Sequence, residues 1–116
     1  MAKSKIVEFR STAYPVVFIM APTHKALVNR VNKDFPDFEV GNPSRGRTTS
    51  WWTDCKLHIA VFAETPAHLA HECIHAKNAI MELTGITSNF SNDEAEAYMT
   101  EYVFREYAKA VRPEWL

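Results

Sequence analysis

Thr65-Pro66 and Gly85 bracket a single long helix, and that helix limits what the rest of the chain can fold into. A threonine hydroxyl can cap free backbone amides, and proline suits the first helical position. The spacing predicts a helix running to about Leu83, with Gly85 just past its end as the C-cap. Leu69, Cys73, Ala76, Ile80 and Leu83 form an apolar stripe along it, and His68, His71, His75, Asn78 and Glu82 form a polar stripe opposite. Such a helix folds by laying its apolar stripe on a partner layer. The segment just before it supplies one: residues 57–62 read as a strand in which Leu57, Ile59 and Val61 alternate with His58, Ala60 and Phe62, so both faces are partly covered.

The remaining elements follow from shorter signals. Residues 6–9 are a weak strand candidate, and residues 15–20, β-branched and aromatic, are a stronger one. Thr23 reads as the N-cap of a short amphipathic helix carrying Leu27, Val28 and Val31 and ending before Pro36. Residues 41–46 have loop composition. Residues 48–52 form the first arm of a hairpin with 57–62, with turn chemistry at Thr53-Asp54. Ser91 or Asn92 begins a last helix, acidic in its first turn, that continues to about Ala110 and stops before Pro113. The order predicts one α+β domain over residues 1–116, a small antiparallel or mixed sheet packed against the histidine-bearing helix and a long C-terminal helix.

Composition narrows the class. Thirteen Lys and Arg stand against 14 Asp and Glu, for a formal charge of −1. Gripping nucleic acid needs a basic surplus or stripe, so no nucleic-acid partner is expected. Two cysteines, Cys55 and Cys73, are too few for a disulfide framework and favour a reduced, cytoplasmic setting. No apolar run is long enough to span a bilayer, and residues 1–8 lack the pattern of a signal peptide, so no membrane partner is expected.

The chemistry concentrates in His71-Glu72-Cys73-Ile74-His75, an H-E-x-x-H motif. Helical spacing puts His71 and His75 one turn apart on one face, where two imidazoles can reach one cation. Glu72 lies about 100° around the helix from His71, placed to lean toward a water without being a ligand itself. The plainer reading is a surface helix with solvated histidines. The opposed apolar stripe weighs against it, because the helix does not need these histidines to fold. A catalytic zinc usually takes three protein ligands. The last helix offers Asp93, Glu94 and Glu96. Glu94 is the expected third ligand, on a face shared with Ala97, Tyr98 and Glu101, while Glu96 goes with Met99, Thr100 and Val103 at the edge of the core.

H-E-C-I-H followed 19 residues after His75 by Glu94 resembles the gluzincin class of zinc metallopeptidases. The run Asn92-Asp93-Glu94-Ala95-Glu96-Ala97-Tyr98 and the short chain are also similar to small H-E-x-x-H proteins of phages and prophages. The resemblance covers about residues 57–107. It implies a minimal zincin-like fold, Zn2+ held by His71, His75 and Glu94, and Glu72 as general base. It implies a protein or peptide substrate, and the host cytoplasm as the location if the chain is phage-encoded. It also implies that residues 57–62 form the edge strand that pairs with extended substrate. Larger gluzincins have a second subdomain that walls the cleft and steadies the oxyanion, for which this chain has no room. Tyr98, Tyr102, His58 and His68 are the substitutes on offer, or a partner or second subunit completes an open cleft.

Three functions compete on these grounds: a zinc peptidase, a catalytically silent zinc-binding assembly or interaction module, and a purely structural zinc closed by a fourth ligand such as His68. Trp51-Trp52 reads as packing, since one of two adjacent strand residues must face the core. Arg45-Gly46-Arg47 reads as a solvated turn.

Overall fold

A computed structural model describes residues 5–37, 44–91 and 93–116. Strands β1 (Val7–Arg10), β2 (Val16–Ala21), β3 (Gly46–Thr53) and β4 (Lys56–Ala63) form one mixed sheet in the order β1-β2-β4-β3. β2 and β4 run parallel, and the two outer pairings are antiparallel. The crossover between β2 and β4 carries helix α1 (His24–Asp34) and then β3. β4 leads directly into α2 (Pro66–Thr84), which is followed by α3 (Glu94–Val111) and a short 3-10 turn, Pro113–Trp115. No helix among the described residues is long and apolar enough to cross a membrane.

Side-chain alternation splits the core into two layers. Val16, Phe18 and Met20 of β2 and Leu57, Ile59, Val61 and Ala63 of β4 join Leu69, Cys73, Ala76 and Ile80 of α2 and Met99, Val103 and Tyr107 of α3. On the other face Ile19, Ala21, Trp51, Ala60 and Phe62 pack against Leu27 and Val31 of α1. α2 and α3 thus cover one face of the sheet and α1 the other. Tyr107 ties the first layer together. Its hydroxyl donates to the Ala21 carbonyl at 2.8 Å and accepts from the Ala63 amide at 3.2 Å, holding the ends of two strands under α3. Burial pushes the Cys73 thiol up to about 12, so this cysteine is a core residue rather than a nucleophile.

The capping signals act as expected. Thr23 and Thr65 cap α1 and α2 through their hydroxyls, Pro66 stands in the first turn, and Gly85 closes α2 in the left-handed conformation at φ 75°. α3 starts at Glu94, later than Ser91, because the Ser91 amide bonds the Asn89 side chain at 2.9 Å and keeps that stretch in a turn. Asn92 and residues 41–43 of the expected loop lie outside the described residues. Gly46, expected in that loop, already pairs with Ala63, and the Glu64 amide extends the ladder to the Arg45 carbonyl at 2.9 Å. The hairpin turn falls on Asp54 and Cys55, both at positive φ, rather than on Thr53-Asp54, because Thr53 is still paired with Lys56.

One expectation is overturned. The edge strand is β3, not residues 57–62: β4 lies between β2 and β3 and spends its hydrogen bonds on both. All but one of its residues are buried, while β3 is mostly half-exposed and rich in Thr and Ser. A strand apolar on both faces belongs inside a sheet, and a polar strand at its rim.

Candidate functional site

The N-terminal half of α2 runs beside the start of the edge strand, and the motif residues meet β3 there. His71 and His75 are exposed and aim their rings at each other. Their Nε2 atoms stand 3.3 Å apart. Two nitrogens bound to one tetrahedral zinc at about 2.0–2.1 Å each are separated by about 3.3–3.4 Å, the edge of the coordination tetrahedron. The spacing is compatible with two ligands of one tetrahedral ion, and equally with a hydrogen bond between the two rings.

Glu72 differs from its neighbours in being buried, at 6 % exposure. The Thr48 hydroxyl lies 2.7 Å from Glu72 Oε1 and 3.1 Å from the Glu72 carbonyl. Its one proton goes to the carboxylate, the stronger acceptor and the shorter contact. Gly46 faces the other carboxylate oxygen. A Cβ on Gly46 would sit 2.9 Å from Glu72 Oε2, closer than atoms of real side chains approach, so the strand is bare where the carboxylate nests. Two open hollows flank this contact. One, about 340 Å³, lies among Thr48, Ser50, Glu72 and His75; the other, about 530 Å³, lies among Arg45, His68, His71 and Glu72. Gly46 borders both.

The expected third ligand is not gathered with the pair. Glu94 is exposed at the first residue of α3, and among the described residues no group of three His, Cys, Asp or Glu surrounds a common point. The acid that α3 turns toward α2 is Glu96, whose Oε1 accepts from Lys77 Nζ at 2.8 Å. That hydrogen bond and the ammonium charge hold the Glu96 carboxyl below the usual range. Glu96 thus occupies the core-edge face assigned to it from sequence, beside buried Met99 and Val103.

Of the residues offered as oxyanion partners, His68 lines the same hollow as His71 and Glu72, with its Nδ1 2.6 Å from the Thr65 hydroxyl. Tyr102 is committed elsewhere, its hydroxyl 2.8 Å from Ser11 Oγ. His58 is on the opposite face of the sheet, stacked on Trp51 at 5.4 Å. Tyr98 is 62 % exposed.

Thr48 and Gly46 were missed as site residues because each looked ordinary alone, a β-former and a loop glycine. The signal was in their register. Positions 46, 48 and 50 share one face of the strand and are Gly, Thr and Ser, small or hydroxylated where a core-facing strand would be apolar.

Comparison with known proteins finds no matching family model, no matching curated sequence and no matching solved structure.

Proposed function

We propose that this chain is a zinc-dependent hydrolase of minimal zincin-like build, a metallopeptidase in which His71, His75 and Glu94 hold the metal and Glu72 is the general base. The observation that carries the reading is the 3.3 Å separation of the two Nε2 atoms beside a buried carboxylate that the neighbouring strand holds in place. The Thr48 hydroxyl is a neutral donor, and a cation on the adjacent imidazoles would add to Arg47, which lines the same hollow, in offsetting the cost of burying that carboxylate. Glu94 supports its part by availability: it is exposed, whereas Glu96 is held by Lys77.

When bound, zinc supplies Lewis acidity, polarising a carbonyl and bringing the pKa of a water to about 7. The chain supplies the rest. His71 and His75 orient the ion through fixed helical spacing. Glu72 accepts the water's proton and returns it to the leaving amine. His68, in the hollow it shares with His71, is the imidazole best placed to steady charge on the carbonyl oxygen.

The test is zinc content, then turnover. The protein should carry about one zinc per chain, reduced in His71→Ala and Glu94→Ala and retained in Glu96→Ala and Glu72→Gln. Hydrolysis of a denatured protein should disappear in Glu72→Gln. Retention of zinc by Glu94→Ala with loss in Glu96→Ala would reassign the third ligand. A protein that takes no zinc at neutral pH would sink the reading.

A second reading, a catalytically silent zinc-binding interaction module, draws on exposed apolar surface near the motif: Ile74 on α2 is 45 % exposed and Phe90 fully so. Metal without turnover on any denatured protein would select it.

A further inference from the structure

One strand holds one oxygen of Glu72 and leaves room for the other. Thr48 donates to Oε1 at 2.7 Å, and two residues earlier on the same face Gly46 leaves the space that Oε2 fills, where a Cβ would stand only 2.9 Å away. Threonine is stiff at χ1, so the β3 backbone aims that hydroxyl and through it the carboxylate. The consequence concerns the ion, not only the fold. An unrestrained glutamate beside a divalent cation becomes a ligand to it, since carboxylate oxygen is one of zinc's ordinary donors. A ligated Glu72 would fill the position that water needs and would lose the lone pair that accepts the proton.

Resting on the zinc reading above, we infer that Thr48 is a positioning residue that keeps the Glu72 carboxylate beside the metal and off it, with Gly46 providing the seat. The edge strand then does for the base what the helix does for the two histidines. Thr48→Val keeps the β-branched shape and deletes the donor, which frees Oε1 to turn toward a bound ion. Thr48→Ser keeps the donor.

The experiment uses the full chain loaded with Co2+ alone, read by its visible d–d absorption. That absorption weakens as the coordination number rises, because added ligands take the ion away from tetrahedral geometry. Circular dichroism checks the fold of each variant. Thr48→Val should lower the band intensity about twofold or more and shift it. Thr48→Ser should match the wild type. Thr48→Val combined with Glu72→Gln should return the wild-type band, because the amide is a far poorer ligand. If Thr48→Val does not fold, Thr48→Ala asks the same question with a smaller side chain. A folded donor-less variant with the wild-type spectrum would overturn the inference while leaving the metal site standing. So would a changed spectrum that Glu72→Gln fails to restore. A wild-type protein that shows no cobalt band would instead remove the zinc reading, and this inference with it.

Discussion

The two faces of the sheet handle polar side chains in opposite ways. On the α1 face, Arg30 donates to both oxygens of Glu8 at 2.8 and 3.1 Å and to Asp34 at 3.2 Å, and its guanidinium lies over the Trp51 ring. Trp51 donates its indole N–H to the same Asp34 oxygen at 2.8 Å and stacks on His58, whose Nδ1 lies 3.1 Å from the Lys56 carbonyl. Each of these groups completes another, with Glu8 and Asp34 keeping part of their surface in solvent. On the α2 face, Thr48 and Glu72 satisfy each other, and the exposed imidazoles of His71 and His75 lie at the surface with their Nε2 atoms 3.3 Å apart. A buried network that closes on itself stabilises; an exposed pair of rings keeps its nitrogens within reach of solvent or a ligand. The contrast separates the histidine that packs, His58, from the two proposed above as ligands.

The sharpest way to break this comparison is Trp51→Ala. Losing a buried indole from the closed network should cost about 3–5 kcal/mol of folding stability by urea unfolding. Zinc or cobalt stoichiometry in the folded fraction should not change, and an emptied metal site would show that the two faces are not independent. Gly46→Ala acts on the other face and should cost about 1–3 kcal/mol, because the new methyl meets the Glu72 carboxylate and one of them must move. Pairing it with Glu72→Ala should recover most of that loss, and no recovery would remove the steric explanation.

Acid should loosen the α1 face. The hydrogen bond from Arg30 holds the Glu8 carboxyl below its ordinary 4.5. The indole N–H of Trp51, with Arg30 behind it, holds Asp34 below its ordinary 3.8. A carboxyl with a lowered folded pKa stabilises above its unfolded value and loses that contribution as pH falls through the folded one. The difference in unfolding free energy between the wild type and the variant carrying Glu8→Gln and Asp34→Asn should thus be steady above pH 4.5 and shrink below it. Both groups are partly exposed, so the effect should be about 1 kcal/mol or less. A difference unchanged down to pH 2 would exclude the mechanism. The smallest effect is expected from His71→Ala in metal-free protein. An exposed helix residue whose ring meets another exposed imidazole should shift stability by no more than about 0.5 kcal/mol. A larger loss would assign the histidine pair a structural role after all.

Much of the local structure was readable before the fold. Thr65, Pro66 and Gly85 act within a turn of the groups they satisfy, so the bounds of α2 could be read from neighbours in the chain. The same holds for Thr23 and α1. The histidine pair belongs with these, since two residues four apart on a helix share a face wherever that helix packs. The apolar alternation of residues 57–62 likewise announced a strand with both faces partly covered, though not its place inside the sheet.

What the chain could not state locally was which partners distant segments would find. Whether β3 or β4 formed the rim depended on β2 pairing parallel to β4 across a crossover of more than thirty residues, and no short-range signal encodes that pairing. The closed network of Glu8, Arg30, Asp34 and Trp51 joins three separate elements, so its members read as unrelated charges and a strand aromatic. Thr48 and Gly46 became neighbours of Glu72 only when the edge strand came to lie along α2, 24 residues from Thr48 in sequence. Helical spacing alone determined that two imidazoles could meet one ion. Tertiary packing decided what holds the acid beside them, because a hydroxyl aims a carboxylate only within hydrogen-bond reach, and sequence distance does not measure that reach.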